Sequence, residues 1–476
     1  MVSAAGFGGH GTGAAAGGRG RLLVALGGML AALLAGPLTL LLPGVAVVLI
    51  AGVTAVALVA IFPPFAAYLV LAATPLIAGM DRGSVLPVLR PSEAVAGVVI
   101  AGLLARGLFE IANGAPLRAR VTKVDGALVG FALAGSVLPL LWMLARGKTM
   151  TGDDVLYAFQ VWKYVAVFLI VRVSVRRESE VRRCLWISLG AACIVGVLAI
   201  LQSLSLFGIP GLLTGVYAPG QDVAEFDIAR GTSTLASSLA VADVMIYSLA
   251  ISATWAVHCK RARGPLLAVG LLCLFGTVAS GQYSGFLAIP IAILALGLIT
   301  GRLGQLVVLS LCALPFAAAA MWPVISTRLS GFDSNAGLPS SWIGRWENLT
   351  DFFWPELANF NWVLGVQPSA RLPAPESWRE WIWIESGHTW LLWSGGVPFL
   401  LAFFVFVWCA LRATATVART RSDGIGIAAV AAFTSLCVMS VLMILDAHIT
   451  LRGSADLLFS LVALSLVGWR ESARRQ

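Results

Sequence analysis

Long apolar runs constrain the fold of this chain more than any other feature. Stretches of about 20 apolar residues, the length that crosses a bilayer core, recur from Leu22 to Gly468. Only 12% of the residues are charged and the mean hydropathy is +0.91, whereas soluble domains carry about 25% charged residues. Continuous rather than alternating apolar runs indicate helices. The sequence therefore predicts an all-α, polytopic helical membrane protein.

The apolar runs predict 12 to 14 transmembrane helices within a single transmembrane domain, residues 21–470. A Gly- and Ala-rich N-terminal tail, 1–20, is predicted to be disordered. A basic cytoplasmic tail, 471–476, follows the domain. The predicted spans are 22–41, 45–62, 65–80, 94–112, 125–145, 155–174, 184–206, 239–257, 265–280, 286–300, 305–323, 388–411, 426–445 and 454–468.

The distribution of Lys and Arg predicts the orientation of the chain. If the N-terminus is cytoplasmic, every basic cluster falls on the cytoplasmic side, as charge bias requires. These clusters lie at 118–123, 172–183, 260–263, 412–421 and 470–475. The C-terminus is then cytoplasmic too. The same bias accounts for the net charge of +9, so no nucleic-acid partner is expected.

Two predicted outer segments, 207–238 and 324–387, are longer than simple connections. Ten of the sixteen Trp lie between Trp322 and Trp393, and disordered segments are poor in aromatic residues. Residues 324–387 are therefore predicted to form one large, ordered outer loop, and the function is expected there.

The sequence does not predict a metal or cofactor. The seven Cys form no CxxC motif and no Cys/His cluster. Asp153-Asp154 is the one acidic pair in a predicted outer segment, and we interpret it as a helix start capped by Thr151 or Asp153.

His388 is the main candidate for proton transfer. It lies at the predicted outer end of a membrane helix, after Glu385-Ser386-Gly387. An imidazole there can accept a proton from a hydroxyl near neutral pH. The alternative is an interfacial histidine that only begins a helix. His448, near Asp446 in the last outer loop, is interpreted as an ordinary loop residue.

Three arginines in the outer segments, Arg230, Arg328 and Arg345, form a second group of candidates. A guanidinium stays charged and can bind two phosphate oxygens at once, so several at one outer mouth would suit a diphosphate. The alternative is that each is a loop arginine paired with one of the acidic residues of 324–387.

Charged and aromatic side chains near the membrane give further candidates. Lys163, near mid-span, could reach an anionic head group or form a structural Lys–carboxylate pair; Asp243, one turn into its span, is a weaker candidate. Trp381 and Trp383, next to Glu385, belong either to an amphipathic segment on the membrane or to stacking surfaces for sugar rings.

Three segments, in this order, resemble the O-antigen ligase and polymerase family of bacterial membrane glycosyltransferases. The first is Arg230-Gly-Thr-Ser-Thr-Leu. The second is Gly344-Arg345-Trp346-Glu-Asn-Leu followed by Asn361-Trp-Val-Leu-Gly365-Val-Gln-Pro368, and the third is His388-Thr-Trp-Leu-Leu-Trp-Ser-Gly395-Gly396-Val. The resemblance covers about residues 150–411. The chain departs from the pattern at Ser280-Gly281-Gln282, where members often have Ser-Arg-Gly.

The resemblance implies a metal-independent enzyme of the bacterial inner membrane. It would move a glycan from a polyprenyl-diphosphate donor to a glycan, lipid or protein acceptor on the outer face. His388 would orient or deprotonate the acceptor hydroxyl, and Arg345 with Arg230 would stabilise the leaving diphosphate. Arg328 and Lys163 would assist at the diphosphate, and Glu385, Trp381 and Trp383 at the acceptor.

Two other functions fit the same residues. A transporter or flippase of lipid-linked glycan would need a polar route on both sides of the membrane, whereas the polar features here gather on the predicted outer side. A non-catalytic assembly protein could use the Trp-rich loop to bind glycan. Loss of product with accumulation of the lipid-linked donor would distinguish an enzyme from both.

Overall fold

The computed structural model describes residues 43–82, 89–114, 121–217, 230–259, 261–332, 337–375 and 380–468. The predicted tails 1–20 and 471–476 and the predicted first span, 22–41, lie outside these ranges. So do residues 218–229 of the first long outer segment.

Helices account for most of the described residues, which confirms the all-α, polytopic prediction. Within the described ranges, nine helices are long and apolar enough to cross a membrane, and four shorter helices are also apolar. These nine plus four correspond one to one to the thirteen predicted spans from 45–62 onward, with Gly152–Ser174 counted as one helix.

The helices, numbered in chain order, are α1 (Pro43–Ile61), α2 (Pro64–Ile77), α3 (Pro91–Ala112), α4 (Lys123–Ala145), α5 (Gly152–Ala158), α6 (Gln160–Ser174), α7 (Glu178–Ser203), α8 (Ile209–Tyr217), α9 (Ser238–His258), α10 (Arg263–Ala279), α11 (Tyr283–Thr300), α12 (Leu303–Ala320), α13 (Trp322–Leu329), α14 (Ser340–Asn348), α15 (Trp354–Ala358), α16 (Gly387–Thr420), α17 (Gly424–Leu442) and α18 (Ser454–Ser465). Short 3-10 turns lie at Ser233–Leu235 and His448–Thr450, and a π-helical turn at Leu349–Phe353.

Thr151 confirms the predicted capped helix start before α5. Its hydroxyl accepts a hydrogen bond from the Asp154 backbone N–H at 3.2 Å, and the Asp154 carboxylate accepts one from the Thr151 backbone N–H at 3.0 Å. This reciprocal pair satisfies two N–H groups that the helix itself leaves free.

The chain folds into two compact units. One comprises Met1–Ala66 and Gly97–Leu117, and the other comprises Ala67–Ala96 and Arg118–Gln476. In the first unit, α1 and α3 pack so closely that a Cβ added at Gly102 would lie 2.7 Å from Val59 Cβ. The Arg106 side chain caps α1 by donating to the Ala60 carbonyl oxygen at 3.2 Å.

In the second unit, α9, α17 and α18 are the most deeply buried helices. Their many Ala, Ser and Gly residues let neighbouring backbones approach closely, as is typical of helix packing in membranes. Some buried hydroxyls bond within their own helix: Thr254 donates to the Ala250 carbonyl oxygen at 2.7 Å, whereas the hydroxyls of Ser248, Thr434 and Ser435 have no partner among the described residues. This arrangement leaves fewer polar groups without partners in an apolar surrounding.

The span predicted at 388–411 is not one continuous helix, because α16 turns back at Gly396. The backbone there has φ 65° and ψ −161°, outside the helical region. The ring of His388 lies 6.0 Å from Phe404, and Trp390 lies 5.3 Å from Phe399. In a straight helix His388 and Phe404 would be about 24 Å apart. The segments Gly387–Gly395 and Val397–Thr420 are therefore antiparallel neighbours.

We call this turn, with Gly365, Gly395 and Gly396, the glycine corner. A Cβ at Gly396 would lie 2.3 Å from the Val363 carbonyl oxygen, and one at Gly365 would lie 2.8 Å from the Trp393 carbonyl oxygen. Two backbone segments can approach this closely only where side chains are absent. These glycines, which belong to the segments selected from the sequence, therefore allow two backbone segments to pack against each other.

The stretch predicted as the large outer loop is folded. It contains α13, α14, the π-helical turn and α15, followed by two short strands, β1 (Arg371–Pro373) and β2 (Trp381–Trp383). The strands pair antiparallel, with Arg371 opposite Trp383 and Pro373 opposite Trp381. Trp381 and Trp383 therefore lie on a strand, and Trp378 lies outside the described residues.

Candidate functional site

Arg230, Arg328 and Arg345 line one cavity of about 240 Å³, which we call the arginine cavity. They come from three parts of the chain: before the Ser233–Leu235 turn, the last turn of α13 and the last turn of α14. The other lining residues are Leu239, Gln282, Tyr283, Ser284, Ser341, Trp342, Glu385, Leu445 and Asp446.

Tyr283, the first residue of α11, holds Arg328 at the cavity wall. The Tyr283 hydroxyl donates to the Arg328 carbonyl oxygen at 2.6 Å, and the guanidinium lies 4.5 Å from the centre of the tyrosine ring. Burial first, and then the charge of Arg230, lowers the pKa of Arg328. Among the described residues, the buried Arg328 Nε has no hydrogen-bond partner. A buried guanidinium with an unused donor suits an anionic ligand.

Arg345 is held by two carboxylates. Its Nε lies 3.4 Å from Glu385 Oε1, and a terminal nitrogen lies 3.5 Å from Asp446 Oδ2. The guanidinium also donates to the Leu445 carbonyl oxygen at 3.3 Å. Arg345 therefore links α14 to the segment after β2 and to the segment after α17.

A second cavity, of about 400 Å³, adjoins the first, and we call it the tryptophan cavity after Trp383 and Trp390. Glu385 and Asp446 line both cavities. The ion pairs of Arg345 thus lie at the wall that the two cavities share. The other lining residues are Gly79, Tyr157, Gln160, Leu235, Ala236, Ser237, Ala370, Ile384, Ala447, Thr450, Leu451 and Arg452.

The backbone fixes Glu385 from both sides. Before it, the buried Ile384 donates its N–H to the Ala370 carbonyl oxygen at 3.2 Å. After it, Ser386 is the N-cap of α16, and its hydroxyl accepts from the Thr389 N–H at 3.4 Å. A carboxylate between a paired residue and a helix cap has little freedom to move, which is what an acid–base group requires.

His388 lies outside the described lining of both cavities. Its ring packs 6.2 Å from Phe403 and 6.0 Å from Phe404 and hydrogen-bonds to the Met443 backbone. The turn at Gly396 accounts for this placement, because it sets His388 beside the second segment of α16.

Trp381 and Trp383 flank Arg371. The guanidinium of Arg371 lies 4.0 Å from the Trp381 ring and 5.7 Å from the Trp383 ring, and it forms an ion pair with Asp153. Of the two rings, only Trp383 lines the tryptophan cavity. Trp383 is thus the one of the pair placed to contact a ligand there.

Lys163 forms an ion pair with Asp456, with Nζ 3.3 Å from Oδ2. The same Asp456 oxygen accepts from the Gly453 N–H at 2.9 Å, at the start of α18. Lys163 does not appear among the described lining of the two cavities. This arrangement is the structural Lys–carboxylate pair that the sequence left open.

Sequence analysis did not anticipate the pairing of Asp243 with His448. His448 Nδ1 lies 2.9 Å from Asp243 Oδ2, and both side chains are fully buried. Burial lowers the pKa of His448, but the Asp243 carboxylate and its hydrogen bond outweigh burial, so the pKa is raised overall. A charge within a span needs a partner, so the sequence indicates that Asp243 is paired but does not identify His448 as the partner.

The departure from the family pattern also lies at the site. Gln282 lines the arginine cavity, and its amide donates to the Ser238 hydroxyl. The cavity wall thus has an amide next to its three arginines.

Across the described ranges, no group of three or more His, Cys, Asp or Glu side chains is placed to hold a metal ion. Glu385 and Asp446 contact Arg345, and His448 contacts Asp243.

Comparisons of the chain with protein-family models, curated proteins and solved structures found no match. The resemblance of the three segments to a glycosyltransferase family therefore stays a prediction.

Proposed function

We propose that this protein is a membrane glycosyltransferase, a polysaccharide polymerase or ligase. It would transfer a glycan from a polyprenyl-diphosphate donor to a hydroxyl acceptor. One observation carries the proposal: three arginines from distant segments meet in a cavity that shares a carboxylate-lined wall with a second cavity. Diphosphate binding and acceptor binding would occupy the two cavities.

The arginine cavity would bind the donor diphosphate. Arg328 offers a buried donor with no partner among the described residues, and Arg230 lies close enough to lower its pKa. Fixed guanidinium groups stabilise the charge that develops on a leaving diphosphate and need no rearrangement during the reaction. Arg345 would contribute positive charge at the wall nearest the acceptor.

In the transfer step, the acceptor hydroxyl oxygen attacks the anomeric carbon of the donor sugar. The bond from that carbon to the diphosphate oxygen breaks, and the bonding electrons leave with the polyprenyl diphosphate. The hydroxyl proton passes to a carboxylate or imidazole of the protein. All atoms and charges then balance, and no further reactant is required.

Glu385 is the proposed proton acceptor, since it lines both cavities and is fixed between Ile384 and the N-cap Ser386. Asp446 shares this wall and would assist. His388, the sequence-based candidate, would instead position the start of α16 through its bond to the Met443 backbone.

The proposal places the cavities on the outer face of a bacterial inner membrane, with both termini cytoplasmic and 12 to 14 spans. The basic ends of the helices support this. Glu178 accepts from the Gly424 N–H at 2.9 Å, and Arg172 donates to the Leu466 carbonyl oxygen at 2.6 Å, so these ends lie together. Asp446 and the cavities lie beyond the other end of α17, opposite the basic loops.

A transporter or flippase of lipid-linked glycan is the second candidate. The buried Asp243–His448 pair favours it, because paired titratable groups within a span are a common element of proton-coupled transport. The polar cavities on a single side favour the enzyme.

Arg328→Gln tests the proposal in cells that make the glycan. We expect loss of the product and accumulation of the lipid-linked donor at the outer face, measured by mass analysis of lipid-linked intermediates and by labelling intact cells. A short repeat unit in the accumulated donor would indicate a polymerase, and a finished polymer would indicate a ligase.

Arg412→Gln is the matched control, because Arg412 is exposed on α16 and contacts the Trp408 ring. Normal product from the Arg328 variant would contradict the enzyme. Donor trapped at the cytoplasmic face would favour the flippase.

A further inference from the structure

The tryptophan cavity contains a cation that the proposed chemistry does not use. Arg452 lines this cavity, and no ion pair joins it to a carboxylate within the described ranges. Burial is the main reason that the pKa of Arg452 is lowered, and the charges of the Asp81 and Glu93 carboxylates offset this only in part. A half-buried guanidinium without a carboxylate partner is costly unless a ligand supplies the negative charge.

Arg90, just before α3, lies close to Arg452. Burial, and then the charge of Arg452, lowers the pKa of Arg90 to about 10. The buried Arg90 Nε has no hydrogen-bond partner among the residues described. The nearby Glu93 carboxylate accepts from the Arg90 backbone N–H at 3.1 Å and contacts Arg82 at 3.4 Å.

Two neighbouring guanidinium groups repel each other, and a phosphate between or beside them removes this repulsion. At about 400 Å³, the tryptophan cavity falls within the size range of small-molecule sites. The lining also includes Trp383 and Trp390, whose rings have flat apolar faces, and the hydrogen-bonding side chains of Tyr157 and Gln160. The lining therefore combines a cationic part with surfaces suited to a sugar.

We propose that the tryptophan cavity binds a phosphate-bearing acceptor, with its anionic group against Arg452 and its hydroxyl toward Glu385, and that the positive charge of nearby Arg90 supports this binding. This rests on the proposed function and specifies its substrate class. The acceptor is a saccharide joined to phosphate or diphosphate, as in a second lipid-linked glycan, rather than a neutral saccharide.

Binding stoichiometry tests the second anion site without any turnover. The probe is radiolabelled farnesyl diphosphate, added to the purified full-length protein in detergent. We expect two bound molecules per chain in the unsubstituted protein, one in Arg452→Gln, one in Arg328→Gln and none in the double variant. Arg90→Gln should weaken the second site about tenfold.

Two control variants should still bind two farnesyl diphosphate molecules per chain. They are Arg412→Gln and Arg452→Lys, the second of which retains the positive charge. The remaining arginine-cavity site in Arg452→Gln shows that this variant is folded. One bound molecule in the unsubstituted protein, or two in Arg452→Gln, would overturn the proposal.

Competition separates the possible sources of the phosphate. Inorganic pyrophosphate should displace both probe molecules, in support of phosphate recognition. Displacement of the Arg452-dependent molecule by phosphatidylglycerol alone would assign this site to bulk lipid and overturn the acceptor proposal. Two sites in a protein without transfer activity would refute the proposed function only, so the two failures are distinguishable.

Discussion

The arginine cavity and the glycine corner both contain residues from the segments that resemble the glycosyltransferase family. The residues in the cavity and those in the corner have different structural roles. In the cavity, Arg230 and Arg345 form part of the lining, and Glu385 and Asp446 hold Arg345 in place. In the corner, Gly365 and Gly396 let two backbone segments meet, and Val397 donates its N–H to the Trp362 carbonyl oxygen at 3.0 Å. One group of motif residues therefore lines a cavity, and the other allows the close backbone packing that shapes the chain around it.

The corner also determines which titratable group reaches the site. Arg146, after α4, donates to Asn361 Oδ1 at 2.9 Å and to the Val366 carbonyl oxygen, which holds the corner from outside. With the corner in place, Glu385 lies at the shared wall of the cavities and His388 beside Phe404. A motif histidine can thus support a site without lining it.

The largest expected effect comes from Gly396→Ala, which breaks the corner. The backbone at Gly396 lies in a region almost restricted to glycine, at a cost of about 1–3 kcal/mol for other residues. The overlap of the new Cβ with the Val363 carbonyl oxygen adds to this. We expect poor expression, a lower melting temperature in detergent and loss of donor binding together.

Gly190→Ala is the matched control for Gly396→Ala. Gly190 lies within α7, and nothing is found within 4 Å of an added Cβ there. This variant should be as stable as the original or slightly more stable. A Gly396→Ala protein that melts like the control would show that the turn is not needed.

The next effect in size distinguishes Glu385 from His388. If Glu385 accepts the proton, Glu385→Gln should lower the transfer rate by about 10²–10⁴-fold and leave the melting temperature nearly unchanged. His388→Ala should mainly lower the melting temperature, since it removes the bond to the Met443 backbone and the ring packing. Rates and melting curves of both variants provide the measurement.

A loss of transfer rate in His388→Ala but not in Glu385→Gln would contradict this prediction. It would identify His388 as the proton acceptor. The segment beside the glycine corner would then supply the reacting group, and the cavity lining would not.

The smallest expected effect concerns the buried pair beside the arginine cavity. The pKa of His448 is raised above its usual 6.5 by Asp243, with Asp446 and Arg345 as the other charged neighbours. A raised pKa means that the stabilisation is complete below about pH 6.5 and is lost as the pH rises through the folded-state value. The melting temperature should therefore fall by a few degrees on going from mildly acidic to alkaline pH.

Asp243→Asn removes the carboxylate that raises the pKa of His448, so this decline should flatten. Melting curves of both proteins across the pH range test the prediction. An equal decline in the variant would show that other groups cause the pH dependence.

Much of the fold follows from the sequence because a bilayer permits few kinds of membrane-spanning backbone structure. Thirteen described helices match predicted spans, since an apolar stretch in lipid must satisfy its own backbone. Arg230, Arg328 and Arg345 could be selected as well, because guanidinium groups in predicted outer segments are chemically conspicuous. Glu385 was selected for its position near His388, without a sign that it would line both cavities.

The pairings could not be predicted, because they join residues far apart in the chain. Asp243 and His448 are separated by 205 positions, and Arg345 and Leu445 by 100. Lys163 could equally have reached a ligand or a carboxylate, and the packing of α6 against α18 places Asp456 beside it. The same holds for Arg452, whose loop position gives no indication of Arg90.

The sequence by itself thus determined the class of protein, the order of its helices and the residue types available for binding an anion, because length and apolar content act locally. The tertiary structure decided which of these residues meet. It turned α16 back at Gly396, gathered three arginines in one cavity and left Glu385 at the shared wall. Such choices depend on how helices pack, and packing depends on shape complementarity between segments that the linear sequence does not place together.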